Sequence, residues 1–505
     1  MALQTRNSAL AIKKETTEGV PVAPAASGDF IPLQDDFSMS PSFNVLENAE
    51  LKASIGTAKP ILGSENPTAS FSAYVKSSGV EAQEPGYGEI LEAAYGGVRT
   101  MAARMTVDSS TTTVTSFTAG DVAAAGLNVG DAVILLDASN GYSIRNAASI
   151  SGDDVTWNFE LSNAPANGVE ASRSVNYYAT QADQPTIQLW HYVANQGAIQ
   201  LMTGARPTSV AISIDAGELI NANYSFEGLE YFYNPIEITA ANKFLDFTDD
   251  DGTFAVSVAE KYYKDPNDLA SALETAMNGA TTQTHTVTYV DQGANACRFV
   301  VENTTGATLS LLWLTGANTA NSIGATLAFD VAADDTGSLS YTSDNQLDLS
   351  APFSPAFDSA DPLAAKDNEF LIGDASQNVC VDASSVTWNL DLTKVNVESI
   401  CAESGISQSI LSERSVPITA TILLNKGDAD KFTKFRTNSE VQLAYHFGTK
   451  VGGNWEVGKS GSLYVPKATI TSHDVGDEDG VVVLNLEFSA FVDDQGSSEV
   501  FQSFL

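Results

Sequence analysis

The strongest constraint on the fold is an internal duplication, in which one order of patterns occurs twice along the 505 residues. Each copy begins with an alternating apolar strand, over residues 37–45 in the first copy and 386–392 in the second. A long polar loop, a second strand and a short helix follow, and a hairpin of alternating strands closes the copy. This repeated order predicts two β-sandwich-like modules, each carrying one helix.

The later elements of the two copies occur in matched positions. Given as first copy and then second copy, they are polar loops over residues 50–67 and 398–415, strands over 69–75 and 418–424, helices over 85–95 and 428–435, and closing hairpins over 209–229 and 467–492. The first helix has an apolar face of Ile90, Leu91 and Ala94, and the second carries Phe432 and Phe435.

Two segments do not fit the duplication and are predicted to be insertions. Residues 106–184 are punctuated by Gly and Asp and predict a small β-barrel. Residues 236–352 predict an α+β domain, whose helix over 265–277 begins with a capping Asp265 and with Pro266 at its first position. The fold is therefore predicted to be mainly β, with the first module in residues 1–105 and 185–235 and the second in 353–505.

Composition excludes several classes of protein. The net charge of −38, from 63 acidic and 25 basic residues, excludes a protein that grips phosphate backbones. No apolar stretch approaches the ~18 residues of a membrane helix, and no secretion signal is predicted. Cys297, Cys380 and Cys401 are far apart and outside any CxxC spacing, so neither a zinc site nor a disulfide framework is predicted. Reduced cytoplasmic thiols are the simpler interpretation.

Chemical motifs are few. Residues 453–460 match the G-x-x-x-x-G-K-S pattern of a phosphate-binding loop, but a strand follows them instead of the helix that such a loop needs, so we interpret them as a hairpin turn. The acidic clusters at 249–252 and 334–337 are explained by turn chemistry. The four histidines are dispersed, and no G-x-S-x-G motif occurs. We predict no catalytic site, metal site or cofactor.

Four motifs carry a resemblance to a known family. Residues 12–24 (IKKETTEGVPVAP) look like an E-x-T-x-G-x-x-P opening, with Glu15, Thr17 and Gly19 in place and the proline one position early, at 21. Residues 84–96 are similar to the first helix of that family, and residues 204–214 and 461–470 resemble its paired return strands. The family is the major tail tube protein of long-tailed, siphophage-type bacteriophages whose chains contain two tube modules. The resemblance covers residues 10–105, 185–235 and 365–505.

The resemblance implies a structural virion protein that polymerises into stacked rings, the conduit for DNA delivery during ejection. Two modules per chain imply homo-trimeric rings of pseudo-sixfold symmetry, with hexameric rings as the alternative. The implied partners are other copies of the chain, other tail proteins at the tube ends and a length-setting tape measure protein. DNA is expected to pass without specific binding. The protein would be made in the host bacterial cytoplasm and reside in the virion tail, with no membrane contact and both insertions outside the tube.

Two sets of site residues are expected. The long loops, with the N-terminal arm, are candidates for contacts between rings; the alternative is that they are ordinary surface loops. The loop candidates are Ser54, Lys59, Glu65, Glu403, Ser407 and Glu413. A negative wall repels a DNA duplex over a Debye length of ~8 Å, so acids on strands are candidates for the lumen; the alternative is a solvated outer face. The acid candidates are Asp215, Glu218, Glu227, Asp391, Asp477 and Glu487.

A different class of protein also fits the composition. A cell-surface or S-layer-like multi-domain β protein, with carbohydrate binding as one role, would be acidic and poor in cysteine. Against it stand the lack of a predicted secretion signal and a duplication that is interrupted by insertions. The third hypothesis is an enzyme built on residues 453–460, and an increase in the thermal stability of the protein on addition of ATP would identify it.

Overall fold

The computed structural model describes residues 7–50, 58–180, 184–194, 197–357, 360–373, 380–425, 429–492 and 499–505. Within these ranges the chain forms 35 strands and four α-helices, which confirms the prediction of a mainly β fold. Ser54 and Asp428, which the sequence assigned to a ring-stacking loop and to the start of a helix, lie outside the described residues.

The elements up to residue 233 contain the first module and its insertion. Those before residue 101 are β1 (Ala9–Lys14), β2 (Phe30–Ile31), β3 (Ser38–Ser40), β4 (Phe43–Leu46), β5 (Ile61–Glu65), β6 (Thr68–Tyr74), α1 (Gly88–Tyr95) and β7 (Gly96–Thr100). Those of the insertion are β8 (Met105–Ser110), β9 (Val114–Phe117), α2 (Asp121–Ala125), β10 (Ala132–Leu135), β11 (Ser143–Ser151), β12 (Asp154–Trp157), β13 (Glu170–Ala171) and β14 (Val175–Ala179). The remaining ones are β15 (Ile187–Val193), β16 (Ala198–Asp215), β17 (Asn221–Glu227) and β18 (Glu230–Tyr233).

The elements after residue 235 contain the second insertion and the second module. Those of the insertion are β19 (Ile236–Ile238), β20 (Phe244–Asp249), β21 (Gly252–Ser257), β22 (Lys261–Tyr263), α3 (Pro266–Ala280), β23 (His285–Val290), β24 (Arg298–Asn303), β25 (Leu309–Leu311), β26 (Asp335–Thr336) and β27 (Ser340–Thr342). Those of the second module are β28 (Glu369–Gly373), β29 (Ala383–Glu398), β30 (Ile406–Ser415), β31 (Pro417–Leu423), α4 (Ala429–Thr437), β32 (Val441–Val451), β33 (Asn454–Glu478), β34 (Val481–Ala490) and β35 (Phe501–Phe504).

The chain divides into two compact units, and the first comprises residues 1–11, 189–202 and 230–354. Its α3 begins as predicted, because the Asp265 carboxylate accepts hydrogen bonds from the backbone N–H groups of Asn267 and Asp268. Leu269, Leu273 and other apolar residues of α3 are buried with those of the surrounding strands in one α+β core. The strands form sheets of order β21-β20-β25-β26, β23-β24-β27 and β19-β22.

The second unit comprises residues 12–188, 203–229 and 355–505. Its centre is a continuous antiparallel sheet in the order β3-β6-β17-β16-β29-β31-β34-β33. The first four strands come from the first copy of the duplication and the last four from the second. Period-2 alternation along each strand buries one face, as Ala222, Tyr224 and Phe226 of β17 illustrate.

The duplication extends to the register of the strands. Met39 of β3 lies opposite Ala69 of β6, and Trp388 of β29 lies opposite Ile418 of β31. A β-bulge occurs at the same point of both copies: between Pro207 and Ser209 of β16, and between Ile470 and Ser472 of β33. Bulges reorient one strand without changing the rest of the ladder, so a shared bulge shows that both modules have one design.

The first insertion contains a closed barrel of the strands β10-β11-β12-β9-β8-β13, around a core that includes Trp157. Its outward apolar residues Ile134 and Ile144 pack with Trp455 and Leu505 of the second module. The small inserted barrel is therefore attached to the second module through an apolar contact.

The structure corrects two details of the sequence prediction. The prediction of a long loop was wrong in both copies. In the first copy β4 pairs with β5, and in the second β29 continues into a hairpin with β30. The single strand predicted over residues 37–45 is interrupted at Pro41, which has no N–H to donate to a ladder. The strands on either side of Pro41 belong to different sheets.

Candidate assembly surfaces

One face of the eight-stranded sheet is covered by short polar side chains. Directly paired residues share a face, and one such row crosses both modules: Ser38, Ser70, Ser225, Ser209 and Asp391. The Ser209 hydroxyl lies 3.0 Å from the Asp391 carboxylate and donates a hydrogen bond to it. Other members of the same face are Ser72, Asn223, Ser213, Thr387, Asn389, Thr419, Thr421, Asn485 and Ser489. The opposite face is the apolar core.

The predicted acids do not all lie on this face. Asp215, Glu227, Asp391 and Glu487 do, because each is in register with polar residues of the neighbouring strands. Asp477 is paired with Val482 and so points to the other side of the sheet. Glu218 lies in the turn between β16 and β17.

The two modules are joined edge to edge by an antiparallel pairing of β16 with β29. Ser209 to Asp215 lie opposite Asp391 to Ser385, and Ile212 faces Trp388. This pairing buries Ile212 to 3% exposure. Val475 of β33 occupies the position in the second module that corresponds to Ile212, as the register of β16 with β17 and that of β33 with β34 show. Val475 is 55% exposed, because β33 ends the sheet here among the described residues.

Two β-hairpins extend from the same end of the sheet, and we call them arm 1 (β4 and β5) and arm 2 (the ends of β29 and β30 with their turn). They lie side by side: the Glu65 N–H donates to the Ser404 carbonyl at 2.9 Å, and the amide of Asn396 donates to that of Asn66 at 3.3 Å. Of the predicted contact residues, Lys59, Glu403, Ser407 and Glu413 are exposed, whereas Glu65 is buried between the arms.

The arms expose apolar side chains that the sequence reading missed. They are Phe43, Val45, Leu46, Ile61 and Leu62 on arm 1, and Val395, Val397, Ile400 and Ile410 on arm 2. Ile400, in the turn of arm 2, is fully exposed. A contiguous exposed apolar patch marks an interaction surface. The pairs Ile61-Leu62 and Ile400-Cys401, within the segments interpreted as polar loops, were the available signal.

A buried polar network fixes the base of arm 2. The guanidinium of Arg206 donates to the hydroxyl of Ser409 at 2.8 Å and to its carbonyl at 2.7 Å, and also to the Gln184 carbonyl at 2.7 Å. Glu18 of the N-terminal segment accepts from the N–H of Ser409 at 2.8 Å and lies 3.6 Å from Arg206. The N-terminal segment that the sequence analysis proposed for ring contacts is thus packed against arm 2 of its own chain.

Glu15 lies at the centre of the N-terminal segment. Its carboxylate accepts hydrogen bonds from the N–H groups of Gly19 and Gly204 and from the Thr186 hydroxyl. Burial outweighs these donors and raises the pKa of Glu15 to about 7. Burial likewise lowers the pKa of Lys394 to about 8, although its ammonium group donates to the Gly228 carbonyl at 2.6 Å. Burial therefore disfavours the charged forms of both Glu15 and Lys394.

The residues that resemble a phosphate-binding loop begin in a hairpin turn and continue as a strand, which agrees with the interpretation made from the sequence. Val451 pairs with Asn454, and residues 454–478 continue as the single strand β33. Lys459 is 2.6 Å from the carboxylate of Glu456 in its own strand, and Trp455 is buried. The prediction of turn chemistry for the acidic clusters holds for Asp249, which accepts a hydrogen bond from the N–H of Asp251 in its own turn. Asp250, Asp251 and Asp334 instead accept hydrogen bonds from backbone N–H groups and Thr hydroxyls of other segments of the chain.

A family model described as "Phage tail tube protein" matches residues 5–262, slightly more than half of the chain. The chain belongs to the phage tail tube protein family. The match includes α1, β6, β16 and β17 of the first module, and the shared register extends the same design to the second. A comparison with curated proteins found no match. Membership makes this a structural protein of the virion tail, which associates with itself and with other tail proteins.

Three further findings describe the tail tube chain itself. In the described part of the chain, no helix is long and apolar enough to cross a membrane. No three His, Cys, Asp or Glu side chains of the described ranges are grouped to hold a metal ion. Cys297, Cys380 and Cys401 are free thiols, the last two of them exposed.

Proposed function

We propose that the protein polymerises into stacked rings that form the tail tube and conduct DNA into the host. The observation that carries this proposal is the pairing of β16 with β29. It joins two copies of one module edge to edge and leaves the equivalent strands, β33 and β3, at the two ends of the sheet. Unpaired strand edges are templates for further pairing.

The internal pairing supplies the register for the pairing between chains. If β33 of one chain repeats the geometry of β16, Val475 lies opposite Met39 of the next chain, as Ile212 lies opposite Trp388. Asp477 then lies opposite Phe37, at the position of Ile214 and Val386. This contact is heterologous, so it continues from chain to chain until the ring closes. Six modules per ring, the number that the resemblance implies, require three chains, and hexameric rings are the alternative.

Stacking of rings is assigned to the arms, because they extend from one end of the sheet and expose apolar side chains. The DNA conduit is assigned to the polar face of the sheet. Its Ser, Thr and Asn side chains offer no cationic partner to a phosphate, and Asp215, Glu227, Asp391 and Glu487 repel it. Such a wall lets the duplex pass without being held. Proteins at the tube ends and a tape measure protein are the expected further partners.

The domain assignment is part of the proposal. The first module is residues 1–105 and 185–235, the second is 353–505, and residues 106–184 and 236–352 are insertions that leave the duplicated design intact. The closed barrel and the α+β core support this assignment. No reaction is assigned to any part of the chain.

The test is negative-stain microscopy of the purified chain, combined with its mass in solution. Rings of three chains around a central channel, and stacks of them at high concentration, are expected. A chain that stays monomeric at high concentration would exclude the proposal. Rings of six chains would support the tube proposal, with hexameric rings in place of trimeric ones.

A further inference from the structure

An apolar pocket of about 230 Å³ opens at the end of β6 that is remote from the arms. Phe30, Ile31, Tyr74, Tyr87 and Phe357 line it. Tyr87 is held in place because its hydroxyl donates to the Lys76 carbonyl at 2.6 Å and accepts from the Lys76 N–H at 3.1 Å. A cavity of ~150 Å³ lined by apolar side chains accepts a benzene ring, so this pocket has room for a branched aliphatic side chain.

The pocket and the arms lie at opposite ends of the same strand. β6 begins at Thr68, next to arm 1, and ends at Tyr74, in the wall of the pocket. Seven residues at ~3.3 Å each separate the two features by about 20 Å along the strand. One surface projects and the other is concave, and both are apolar. A repeat of identical rings brings such opposite ends together, as a heterologous contact requires.

We propose that the arm 2 turn of one chain docks in this pocket of a second copy in the adjacent ring, with Ile400 as the inserted side chain. The proposal rests on the stacking of rings proposed above and adds the surface that receives the arm. Ile400 fits this role because an isoleucine left wholly in water at a hairpin turn has no packing role within its own chain. Tyr74, itself exposed, is the rim over which the turn would pass.

A second cavity at the same end of the sheet is less suitable. It measures about 260 Å³ and is lined by Asp367, Asp382, Ser384 and Cys380 among others. Carboxylates at its wall disfavour an aliphatic occupant, because burial would remove their water. The two cavities can be distinguished by experiment, since each has a residue at its margin that can be replaced by cysteine.

Cys401 follows Ile400 and is exposed, so its native thiol can be used for crosslinking. In a Cys297→Ser, Cys380→Ser background, Lys76→Cys places a second thiol beside the apolar pocket, and Ser384→Cys places one beside the other cavity. Assembled tubes are treated with a short bis-maleimide and analysed by denaturing electrophoresis. We expect a ladder of linked chains from Lys76→Cys, none from Ser384→Cys, and none from Lys76→Cys combined with Cys401→Ser.

Tubes that give no ladder with Lys76→Cys, or that give one with Ser384→Cys instead, would overturn the docking while leaving the tube proposal intact. Failure of the unmodified chain to form tubes would overturn both. Ile400→Ser provides a second measurement, with the exposed Leu314→Ser as control. Rings should persist in Ile400→Ser, but stacking should weaken by at least about tenfold, the factor expected for one buried aliphatic side chain. Tubes of unchanged length and stability would count against the docking.

Discussion

Ile212 of β16 lies directly opposite Trp388 of β29, and this pair joins the two halves of the duplication into one sheet. The residue that corresponds to Ile212 in the second module is Val475, which lies at the open edge. One chain thus contains a completed junction between modules and, within the described residues, an equivalent strand at the edge of the sheet.

Val475→Lys should prevent ring closure. Lysine on an edge strand is a device by which natural sheets block further pairing, and the substitution places an ammonium group where Ile212 is buried in the internal junction. We expect the ring population, measured by light scattering after size exclusion, to fall at least about tenfold. Val451→Lys replaces another exposed valine, at the β32–β33 turn, and should form rings normally. Equal loss in both variants would contradict the edge assignment.

Arg206→Ala should destabilise the base of arm 2. Arg206 is buried and donates to Ser409 and Gln184, so its removal leaves buried acceptors unpaired at a cost of about 1–3 kcal/mol. Thermal unfolding should occur at a lower temperature, and stacked tubes should be lost before rings. Arg173→Ala, which removes a partly exposed arginine between β13 and β14, is the control. Tubes of parental stability in Arg206→Ala would show that the network does not position the arm.

Glu15 should make stability depend on pH. Its folded pKa of about 7 lies above the ordinary value of 4.5, so its contribution to stability is complete below pH 4.5 and is lost as pH rises through 7. The loss is on the order of 3 kcal/mol. Glu15→Gln should therefore raise the unfolding temperature at pH 8 more than at pH 5. Glu413→Gln, at an exposed site, should change neither, and an identical effect of Glu15→Gln at both pH values would contradict the burial argument.

Asp215→Lys combined with Glu487→Lys should make the tube bind DNA. Both acids lie on the polar face, where two lysines would offer cationic partners to phosphates. Short duplexes should then co-sediment with tubes at low salt and be released at high salt, whereas parental tubes should leave them in solution. The control, Asp291→Lys with Glu302→Lys, changes two exposed acids of the α+β unit by the same charge. Equal DNA binding by the control would contradict the assignment of the polar face to the lumen.

Much of the fold could be predicted from sequence because it depends on local periodicity. The alternation of Ala222, Tyr224 and Phe226 predicts a strand with one buried face, and Asp265 with Pro266 predicts the start of a helix; the structure contains both. The shared order of elements predicted the duplication. These signals are contained within a few residues, so no knowledge of distant contacts is needed.

The assembly surfaces could be predicted only in part, because they depend on contacts between distant residues. Gly, Ser and charged residues in 50–67 and 398–415 indicate loops, yet the partners of β5 and β30 hold these segments as hairpins. Glu15 appears in the sequence as an ordinary surface charge, and only the fold around Gly204 and Thr186 buries it. Nor does periodicity reveal that Asp477 and Asp391 lie on opposite faces, since the bulge before Ser472 changes the alternation.

In the proposed ring, the pairing of β16 with β29 is repeated between chains. Its most direct test is a disulfide between Val475→Cys of one chain and Met39→Cys of the next, in a background where the three native cysteines are serine. Residues directly opposite across antiparallel strands have Cβ atoms about 4.5–5.5 Å apart, within reach of a disulfide after a small adjustment. Oxidation is expected to link the chains of a ring covalently through this pair, while Val475→Cys with Val451→Cys should give no link. Assembled rings in which the first pair stays reduced would contradict it.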